Sequence, residues 1–483
     1  MLRRRSGATL TSFDRTDGRS VVSAAKRPAP GSFLKGSVRF LLSYRTASGT
    51  REALEDTQSA SHSVSGHAAA MRSVLLITRH YPPDAAALSY RLGHVVDVLA
   101  PDHEVTVLAS QPNRYRGIDP APAEERHGAL LIRRIWNGQL TTSRGKLGRG
   151  LGEALGALWM TVIVIISCRK VDVALVSSPP LIYLLPGWAL NKLFGVPLVL
   201  DVRDLWLDWA EEIRLIPSRG LTRLFRRFER SVVTSARHIT VTTEGFRRSL
   251  VERYGVPAEK VTVVYNGLDE VVRPNGHTPG SQAEPQRPPQ GSRPSSNGSD
   301  TARALRVLYA GNLGPSQNLL GISAGLRRSV DRWAGLEVTI VGDGLQWEAL
   351  KEAETERLRV LRRVERAELN RLYASADAFL LHLAALRVYT HTVPSKIFEY
   401  AAYGKPVLCG VQGEARAICA RHTDCYYFDS DEPASLEDAL GRLMARSAPD
   451  NRDVSRADAS ELLRSARGPL WQRVFSAGDH ADR

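Results

Sequence analysis

Residues 73–109 read SVLLITRHYPPDAAALSYRLGHVVDVLAPDHEVTVLA, and this stretch decides the fold class. It begins with the continuous apolar run Ser73–Thr78, continues through the helix-like stretch Ala87–Leu99, and ends in a second apolar run, His103–Ala109. A continuous run of Val, Leu and Ile, rather than an alternating one, is typical of a strand buried on both faces. A helix between two such strands predicts a parallel, doubly wound α/β sheet.

The same alternation continues along the chain. The further strands predicted in this half are Leu130–Ile135, Val171–Val176, Pro197–Val202, His238–Thr242 and Val261–Tyr265. Residues 273–303 then contain six Pro, four Gly and five Ser, a composition typical of a flexible linker. Beyond it, the predicted strands are Leu305–Ala310, Leu336–Val341, Leu358–Val360, Ala378–His382, Pro406–Cys409 and Tyr426–Phe428. The sequence therefore predicts two Rossmann-like lobes facing a cleft, 71–272 and 304–483, with the last helix crossing back to the first lobe.

The composition excludes several other classes of protein. Apolar residues make up 43% and charged residues 24% of the 483 residues, which fits a globular chain with more than one core. The chain has four cysteines, Cys168, Cys409, Cys419 and Cys425. They contain no Cys-x-x-Cys pair, so neither a disulfide scaffold nor a zinc ribbon is indicated. Cysteines that are unclustered in sequence fit a reducing cytosol, and we expect a cytoplasmic protein.

Residues 1–70 differ from the rest of the chain. They are rich in Ser, Ala and Arg and lack sustained periodicity, so we expect a disordered extension. The basic composition also fits a transit peptide, and Met71, directly before the first strand, also fits a later start of translation. Farther along, Ala154–Cys168 is fifteen residues without a charge. This run is shorter than a membrane span and predicts a buried or interfacial helix.

The formal net charge is +14, and much of the excess within 71–272 lies in the stretch 213–238. Its basic residues are Arg214, Arg219, Arg223, Arg226, Arg227, Arg230 and Arg237, against one acidic residue, Glu229. Apolar residues recur there at three and four positions, which predicts an amphipathic helix. Two interpretations remain open, an Arg-rich face in water or a contact with an anionic membrane surface. Aromatic residues do not alternate with the basic ones, so nucleic acid is not indicated.

Glycine-containing loops follow two predicted strands of the second half. Gly342-Asp343-Gly344 ends one strand and precedes a predicted helix, and Asn312 lies between two glycines after another. Glycines at such positions let backbone amides approach a ligand, and a helix N-terminus favours an anion. Each loop is therefore a candidate phosphate-side loop, although each also fits an ordinary strand–helix turn.

The segment Thr392–Tyr400 carries the most specific signal. Pro394, with Thr392 two residues before it, predicts a helix start, which places Lys396 in the first turn. The helix dipole disfavours a cation there unless an anionic ligand is bound. Glu399 lies three residues later and shares a face with Lys396. A surface Lys–Glu pair is the alternative interpretation.

Charged residues also follow a strand in the first half. Asp201-Val202-Arg203-Asp204 brings charges to the carboxyl end of a buried strand, where side chains of a site or of a cap are usual. A different acidic motif, Asp429-Ser430-Asp431, resembles a metal-binding pattern. We expect it instead to cap the helix that begins near Pro433. The sequence therefore predicts no metal site.

Taken together, these segments resemble retaining glycosyltransferases of family 4, which have the GT-B fold. The likeness is to bacterial transferases of O-antigen and capsule assembly, of the N-acetylfucosamine transferase type, and runs from Met71 to about Phe475 outside the linker. The segments that carry it are Tyr81-Pro82-Pro83, His103–Val107, Ser178-Pro179-Pro180, Val202–Trp206, Tyr265–Asp269, Ala310–Gly314, Gly342-Asp343-Gly344, Val393–Tyr400 and Gly404–Val407.

The resemblance implies that the C-terminal lobe binds a nucleotide-sugar donor and needs no metal or other cofactor. Glu399 matches the glutamate that holds the ribose hydroxyls of the donor. The other positions implied for the donor are Asn312, Gln317, Gly342, Asp343, Gly344, Ser395 and Lys396. Family members often have Arg and Lys where this chain has Asn312 and Gln317, so Lys396 is the cation expected beside the diphosphate.

The resemblance also implies catalytic positions. Arg203 and Asp204 are expected to position the acceptor or the donor phosphate. His391 stands where many members have a glutamate that contacts the donor sugar. The loop after Pro83, which normally offers glycine near the phosphates, is Asp84-Ala85-Ala86-Ala87 here.

The resulting expectation is a retaining glycosyltransferase of cell-surface polysaccharide biosynthesis. Its acceptor would be a saccharide or a polyprenyl-linked saccharide, and the enzyme would be peripheral on the inner face of the plasma membrane. Two alternatives keep the fold, a nucleotide-sugar 2-epimerase and a non-catalytic relative that binds nucleotide sugars.

Overall fold

A computed structural model describes residues 71–84, 87–112, 121–135, 146–216, 218–268, 304–446 and 462–476. The extension predicted at 1–70 and the linker predicted at 273–303 lie outside these residues.

The N-terminal lobe has an eight-stranded sheet in its described part. Its strands are β1 (Arg72–Thr78), β2 (His103–Ser110), β3 (Glu124–His127), β4 (Leu130–Ile135), β5 (Val173–Ser178), β6 (Leu198–Val202), β7 (His238–Val241) and β8 (Val261–Val263). The strand order is β3-β4-β2-β1-β5-β6-β7-β8, and only the β3–β4 pair is antiparallel. The central strands are buried on both faces because their side chains are apolar at nearly every position.

Helices cover both faces of this sheet. They are α1 (Ala87–Leu99), α2 (Lys146–Ser167), α3 (Leu185–Phe194), α4 (Trp206–Glu212), α5 (Arg219–Ser235) and α6 (Glu244–Tyr254), with 3₁₀ turns at Leu181–Leu184 and Ala258–Lys260. The helix α2 is the one described helix that is long and apolar enough to cross a membrane. Its inner face, which includes Ala157, Met160 and Ile163, is fully buried in the core of the lobe. The expectation of a buried or interfacial helix fits this packing.

The C-terminal lobe has a six-stranded, all-parallel sheet. Its strands are β9 (Leu305–Ala310), β10 (Leu336–Val341), β11 (Leu358–Leu361), β12 (Ala378–His382), β13 (Val407–Gly410) and β14 (Cys425–Tyr427), in the order β11-β10-β9-β12-β13-β14. The helices are α7 (Leu319–Arg332), α8 (Trp347–Glu352), α9 (Arg366–Ser375), α10 (Lys396–Tyr403), α11 (Gly413–His422) and α12 (Pro433–Met444), with 3₁₀ turns at Arg387–His391 and Arg464–Arg467. The predicted fold class, two parallel-sheet α/β lobes, is confirmed.

The last helix, α13 (Gly468–Ser476), packs on the N-terminal lobe. Trp471 is 1% exposed and lies in the same apolar core as Leu92 of α1. The Arg91 guanidinium lies 5.1 Å from the centre of the Trp471 ring. The last described helix therefore returns to the lobe that holds the first described strand.

Some details differ from the sequence-based predictions. The strand β5 begins two residues later than predicted because the Asp172 carboxylate accepts hydrogen bonds from the backbone and hydroxyl of Ser73. The edge strand β3 was not predicted, since its residues are polar and mostly exposed. The cysteines are also clustered in space. Cys409, Cys419 and Cys425 converge although they are separated in sequence, so three of the four cysteines form a cluster that their spacing in sequence did not indicate.

Candidate active site

A cavity of about 820 Å³ lies between the two lobes. The N-terminal lobe contributes Tyr90 and the segment Asn266–Leu268, and the C-terminal segment contributes Arg464. The remaining lining comes from loops that follow β9, β10, β11 and β12, together with α9 and α10. The cavity therefore lies beyond the carboxyl ends of parallel strands, where open α/β sheets bind ligands.

Two glycine loops form one wall of the cavity with their backbones in direct contact. A Cβ atom on Gly342 would lie 1.7 Å from the carbonyl oxygen of Gly311, so a side chain there is incompatible with this packing. Gly311 itself has a φ of +155°, and a Cβ on it would lie 2.0 Å from the Lys396 Nζ. The Gly311 and Gly342 amides donate to the carbonyls of Val341 and Leu361, so the lack of side chains serves the close packing of the two loops and Lys396.

Lys396 is a cation that lies directly beside Gly311. It is half-buried in the first turn of α10, and its ammonium lies 5.7 Å from the centre of the Tyr309 ring. Burial lowers the pKa of the Lys396 ammonium, and the nearby Glu399 carboxylate opposes this shift. An ammonium beside a helix N-terminus and glycine backbones forms a site for an anion such as a diphosphate.

Glu399 lies one turn farther along α10 and also lines the cavity. Its Oε2 accepts a hydrogen bond of 2.6 Å from the Tyr373 hydroxyl, and its Oε1 lies 3.8 Å from an Arg366 Nη1. Burial and the Glu399 charge raise the pKa of Tyr373 well above its usual range, so this hydroxyl remains a donor. Tyr373 thereby fixes one oxygen of the Glu399 carboxylate. Among the described residues, the other oxygen has only the long ion pair with Arg366.

Asn312 and Gln317 lie together at the rim of the cavity. The Asn312 Nδ2 donates to the Gln317 Oε1 at 2.7 Å, and the His382 Nδ1 donates to the Gln317 carbonyl at 2.6 Å. Burial lowers the pKa of His382, whose Nε2 accepts from the Asp431 backbone at 3.1 Å, so the ring is neutral. Gln317 is thus positioned by a buried neutral histidine.

The acidic motif predicted to cap a helix has another role. The helix α12 begins at Pro433 as expected, but its N-cap is Glu432, without a side-chain cap. The Asp431 carboxylate instead accepts from the Asn318 side chain at 2.7 Å and from the Ala385 backbone at 2.8 Å. The prediction that this motif caps the helix is therefore wrong, because the Asp431 carboxylate is instead bound by donors of neighbouring loops.

Of the predicted donor positions, all but one line the cavity. Gly342, Asp343, Ser395, Lys396 and Glu399 do so together with the Asn312–Gln317 pair. Gly344 does not line it, and it packs instead against the backbone of Leu313. The Asp343 carboxylate accepts a hydrogen bond from an Arg362 Nη1 at 3.0 Å.

Several residues of the cavity were missed by the sequence analysis. Arg363 and Val364 follow the end of β11. Because ligands of open α/β sheets bind beyond the carboxyl ends of the strands, this segment could have been predicted from the position of β11. Asn370 and Tyr373 lie within α9, where the sequence gives no signal. They reach the cavity only because α9 packs beside α10.

The three predicted catalytic residues are outside the cavity lining. Arg203 donates to the Ser177 hydroxyl at 2.9 Å and to the Pro179 carbonyl at 2.8 Å, so it ties the ends of β5 and β6 together. Its neighbour Asp201 is fully buried. Burial favours the neutral form of Asp201, but the ion pair with Arg91 at 2.9 Å holds its pKa below the usual value. Asp201 is therefore a structural residue.

Asp204 lies at the boundary between the lobes. Its Oδ1 is shielded from solvent and has no hydrogen-bond partner among the described residues. Burial raises its pKa to about 6, against the opposing charge of Arg203. Burial, and to a lesser degree the Asp204 charge, raises the pKa of Tyr389, whose hydroxyl donates to Ser316 in the loop that leads to Gln317. This carboxylate is therefore near the cavity although it does not line it.

His391 packs against the other lobe. A Cβ on Gly245, near the start of α6, would lie 2.5 Å from the His391 Nδ1, so the imidazole covers the backbone of Gly245 directly. The residue lies in the 3₁₀ turn Arg387–His391. In this conformation, His391 is an interlobe contact.

Two family profiles match the chain, and they correspond to the two lobes. The profile described as "Glycosyl transferase 4-like domain" matches residues 77–267, and the profile described as "Glycosyl transferases group 1" matches residues 304–446. The chain is a glycosyltransferase of the GT-B fold. None of the curated proteins matches this chain in sequence.

Solved structures share the fold at low identity. The Anabaena protein HepE, in complex with UDP and glucose, is 16% identical with a TM-score of 0.58, covering 84% of this chain and 100% of its own. Sucrose-phosphate synthase from Thermosynechococcus elongatus is 14% identical with a TM-score of 0.60 and the same coverage of 84% and 100%. The α,α-trehalose 6-phosphate synthase from Burkholderia multivorans is 13% identical with a TM-score of 0.54, covering 84% of this chain and 96% of its own.

Proposed function

We propose that this glycosyltransferase moves a sugar, with retention, from a nucleotide-sugar donor to a saccharide or polyprenyl-linked acceptor. The observation that carries the proposal is the shared wall formed by Lys396, Glu399 and the glycine loops at Gly311 and Gly342. It places a cation and a helix N-terminus at one end of the cavity and a fixed carboxylate one turn away. That arrangement fits a diphosphate followed by the hydroxyls of a ribose.

Each group of this wall has a chemical role in the proposed reaction. The bond between the anomeric carbon and the diphosphate breaks as negative charge develops on the leaving phosphate. Lys396 and the N-terminus of α10 stabilise that charge in a partly dry site. Glu399, held by Tyr373, binds the ribose and fixes the donor so that the departing bond faces the acceptor.

We propose retention by attack on the face from which the diphosphate leaves. The acceptor hydroxyl oxygen forms the new bond to the anomeric carbon, and its proton passes to an oxygen of the leaving phosphate. No side chain has to act as a base in this scheme. Asp204 is proposed to orient the acceptor, because its Oδ1 lacks a hydrogen-bond partner among the described residues and it lies at the interlobe boundary.

The cellular role is proposed on chemical grounds. The N-terminal lobe contributes few residues to the cavity lining and carries exposed apolar side chains on its outer surface. A polyprenyl-linked acceptor would bring its sugar to such an enzyme at the cytoplasmic face of a bacterial plasma membrane. We therefore propose a step of O-antigen, capsule or related polysaccharide assembly.

We also propose that transfer needs no divalent metal, because Lys396 supplies the cation beside the glycine loops. Transfer measured in the presence of a chelator should equal transfer in the presence of added Mg²⁺ or Mn²⁺. Activity that disappears with the chelator and returns with either ion would contradict this proposal.

Binding of UDP, GDP, ADP and dTDP by calorimetry tests the site itself. At least one nucleoside diphosphate should bind, and Lys396→Met should weaken that binding by roughly 1.5–3 kcal/mol, the size of a hydrogen bond to a charged group. Lys351→Met is the matched control, since Lys351 pairs with Glu354 outside the cavity. Equal affinity of the Lys396→Met variant and the parent would remove Lys396 from the diphosphate site.

The reaction class has its own test. Incubation with the donor alone separates the alternatives, because a 2-epimerase would convert the sugar without an acceptor. Incubation with polyprenyl-linked saccharides should release the nucleoside diphosphate, and the anomeric configuration of the product reports retention or inversion. Tight nucleotide-sugar binding without turnover on any acceptor would favour the non-catalytic relative.

A further inference from the structure

The outer face of α2 is a continuous stripe of exposed apolar side chains. It consists of Leu151, Leu155, Leu158, Val162 and Ile166, whose exposed fractions lie between 42% and 59%. The spacing of four, three, four and four residues keeps all five on one side of the helix. The opposite side of α2 is buried in the core of the lobe, so the stripe faces away from the protein.

The apolar surface continues onto two neighbouring helices. Leu193 and Phe194, at the end of α3, are 62% and 40% exposed, and Leu221 and Leu224 on α5 are 40% and 58% exposed. The helix α3 packs against α2, and it contacts α5 through a hydrogen bond of 3.0 Å from the Trp188 Nε1 to Ser231. Seven of these nine side chains lie on the adjacent pair α2 and α3, and exposed apolar side chains grouped in this way mark an interaction surface.

Basic residues surround this surface. Arg169 and Lys170 are exposed just after α2, Lys192 is exposed near the end of α3, and Arg219, Arg223 and Arg227 are exposed on α5. From Ala154 to Cys168 the chain carries no charged side chain. An apolar stripe with a basic surround is the pattern of a surface that lies in the interface of an anionic bilayer.

The basic helix α5 does not form this surface alone. Phe225 and Phe228 are half-buried against the core of the lobe, so they are not available for insertion. Arg226 is held by Asp208 at 2.8 Å and by Glu229 at 3.1 Å. Of the helix α5, within the stretch 213–238, only the exposed arginines and two leucines can therefore contact a membrane. They lie at the side of the larger apolar stripe on α2.

The direction of α2 relates the surface to the cavity. The helix connects β4 to β5, which are parallel members of one sheet, so it runs opposite to the strands. Its first residues therefore lie at the carboxyl edge of the sheet, where the cavity is, and the stripe extends from that edge along the side of the lobe.

We propose that the N-terminal lobe docks on an anionic lipid bilayer through the α2 stripe, with Leu193 and Phe194 beside it and the arginines of α5 contacting the headgroups. A bilayer against this face would bring a lipid-linked acceptor to the mouth of the cleft, and this purpose, though not the docking itself, rests on the proposed function. The helix lies in the interface and does not span it, since its other side is part of the core.

Co-sedimentation of the full chain with vesicles tests the docking. The protein should bind vesicles of phosphatidylglycerol and phosphatidylcholine much more strongly than vesicles of phosphatidylcholine alone, and high salt should weaken the binding. The double variant Leu155→Glu, Leu158→Glu should bind the anionic vesicles about tenfold more weakly or worse, because two apolar insertions are lost. Leu345→Glu is the matched control, since Leu345 is 71% exposed on the C-terminal lobe.

Two further measurements distinguish the outcomes. Nucleoside diphosphate affinity should be the same in the double variant and the parent, which shows that the variant is folded and keeps this test separate from that of the donor site. In sedimentation velocity, the parent and the double variant should have the same oligomeric state. Absent vesicle binding, binding unchanged by the two glutamates, or a dimer that they abolish would each overturn the proposal.

A second observation, independent of the first, concerns the three converging cysteines. The Sγ atoms of Cys409 on β13, Cys419 on α11 and Cys425 on β14 all lie within 4.8 Å of one another. The Cys419 and Cys425 sulfurs are 3.2 Å apart, and the Thr423 hydroxyl lies 3.3 Å from each of them. Cys425 is half-buried, whereas the other two are fully buried.

These separations fit a soft metal ion. A Zn²⁺ ion at about 2.3 Å from each sulfur holds two sulfurs roughly 3.8 Å apart, between the separations found here. Three thiolates from three different elements would supply three of the four ligands of a tetrahedral ion. We infer that this cluster is a site for a thiophilic divalent ion of the Zn²⁺ and Cd²⁺ type, outside the cavity between the lobes.

Titration of the full chain with Cd²⁺, under reducing conditions, tests this site. A thiolate-to-metal absorption band should grow to one equivalent, and Cys425→Ser should reduce the affinity about tenfold or more, because one of three sulfur ligands is lost. Cys168→Ser is the control, because Cys168 is buried in the other lobe and should not alter the band. The absence of a saturating band, or one unchanged in Cys425→Ser, would overturn the assignment.

Discussion

Glu414 of the C-terminal lobe accepts a hydrogen bond of 2.7 Å from the backbone amide of Gly245 in the N-terminal lobe. Its other oxygen accepts from the Glu244 amide at 3.0 Å, so the carboxylate covers the N-terminus of α6. The reciprocal contact comes from Glu212 of the N-terminal lobe, which accepts from the amides of Arg387 and Val388 at 2.6 and 3.0 Å. Each lobe therefore holds the backbone of the other with one carboxylate.

These two carboxylates should control lobe closure. Replacing Glu212 and Glu414 with Ala removes charge-assisted hydrogen bonds worth roughly 1.5–3 kcal/mol each. We expect a larger radius of gyration in X-ray scattering and a lower kcat, with nucleoside diphosphate affinity nearly unchanged because that site lies mostly in one lobe. Glu437→Ala, on the surface of the C-terminal lobe, is the control. A variant as compact and as active as the parent would show that other contacts set the closed arrangement.

Glu399→Gln should weaken donor binding by roughly 1.5–3 kcal/mol, because the charged acceptor for the ribose hydroxyls is lost. Tyr373→Phe should have a smaller effect in the same direction, since it leaves the charge and removes only the hydroxyl that orients Oε2. Calorimetry with the nucleoside diphosphate that binds the parent measures both. Unchanged affinity in Glu399→Gln would exclude Glu399 from the ribose site.

The sequence predicted the fold better than it predicted the site. Apolar strands such as β1 and β9 are buried on both faces, so local composition determines both their type and their place in the lobes. The donor wall was predicted because Lys396 and Glu399 lie on one helix, where spacing alone makes them neighbours. Tyr373 and Glu414 were not predicted. The partner of Tyr373 is 26 residues away along the chain, and those of Glu414 are 149 or more residues away.

Charged residues at the end of a strand did not show by themselves whether they belong to a site or to the core, because their partners are also distant along the chain. Asp201 and Asp204 follow the same signal, but only the packing of Arg91, Ser177 and Thr240 around Asp201 turns it into a buried structural residue. No rule of spacing places those three donors together. The convergence of three cysteines is likewise a property of the tertiary fold.

Residues 1–70 should be dispensable for folding. The strand β1 begins at Arg72 and is paired on both sides, with β2 and with β5, so a chain that starts at Met71 keeps the complete central strand. We expect the two chains to have equal Tm values in a thermal melt. A chain that starts at Arg79 lacks β1 and should not fold, which provides the contrasting control. A clearly lower Tm for the Met71 chain would mean that the extension packs on the body of the protein.

Asp204→Asn should change how stability depends on pH. Burial raises the pKa of Asp204 from 3.8 to about 6 in the folded protein. Between these values the folded chain keeps a proton that the unfolded chain has lost, so this residue's contribution to the free energy of unfolding falls as pH rises. Below the lower value both states are protonated, and above the higher value the loss is complete. The slope for one proton is at most about 1.4 kcal/mol per pH unit.

The asparagine variant has no carboxylate to ionise, so the variant should gain stability relative to the parent as pH rises to about 6 and hold that gain above it. Urea unfolding of both chains at about pH 4.5, 6 and 7.5 measures the difference, and other titrating groups cancel because they are common to both. If Asp204 also orients the acceptor, kcat should fall in the variant although its stability rises. A stability difference that is the same at all three pH values would show that the Asp204 carboxylate is hydrated and has an ordinary pKa.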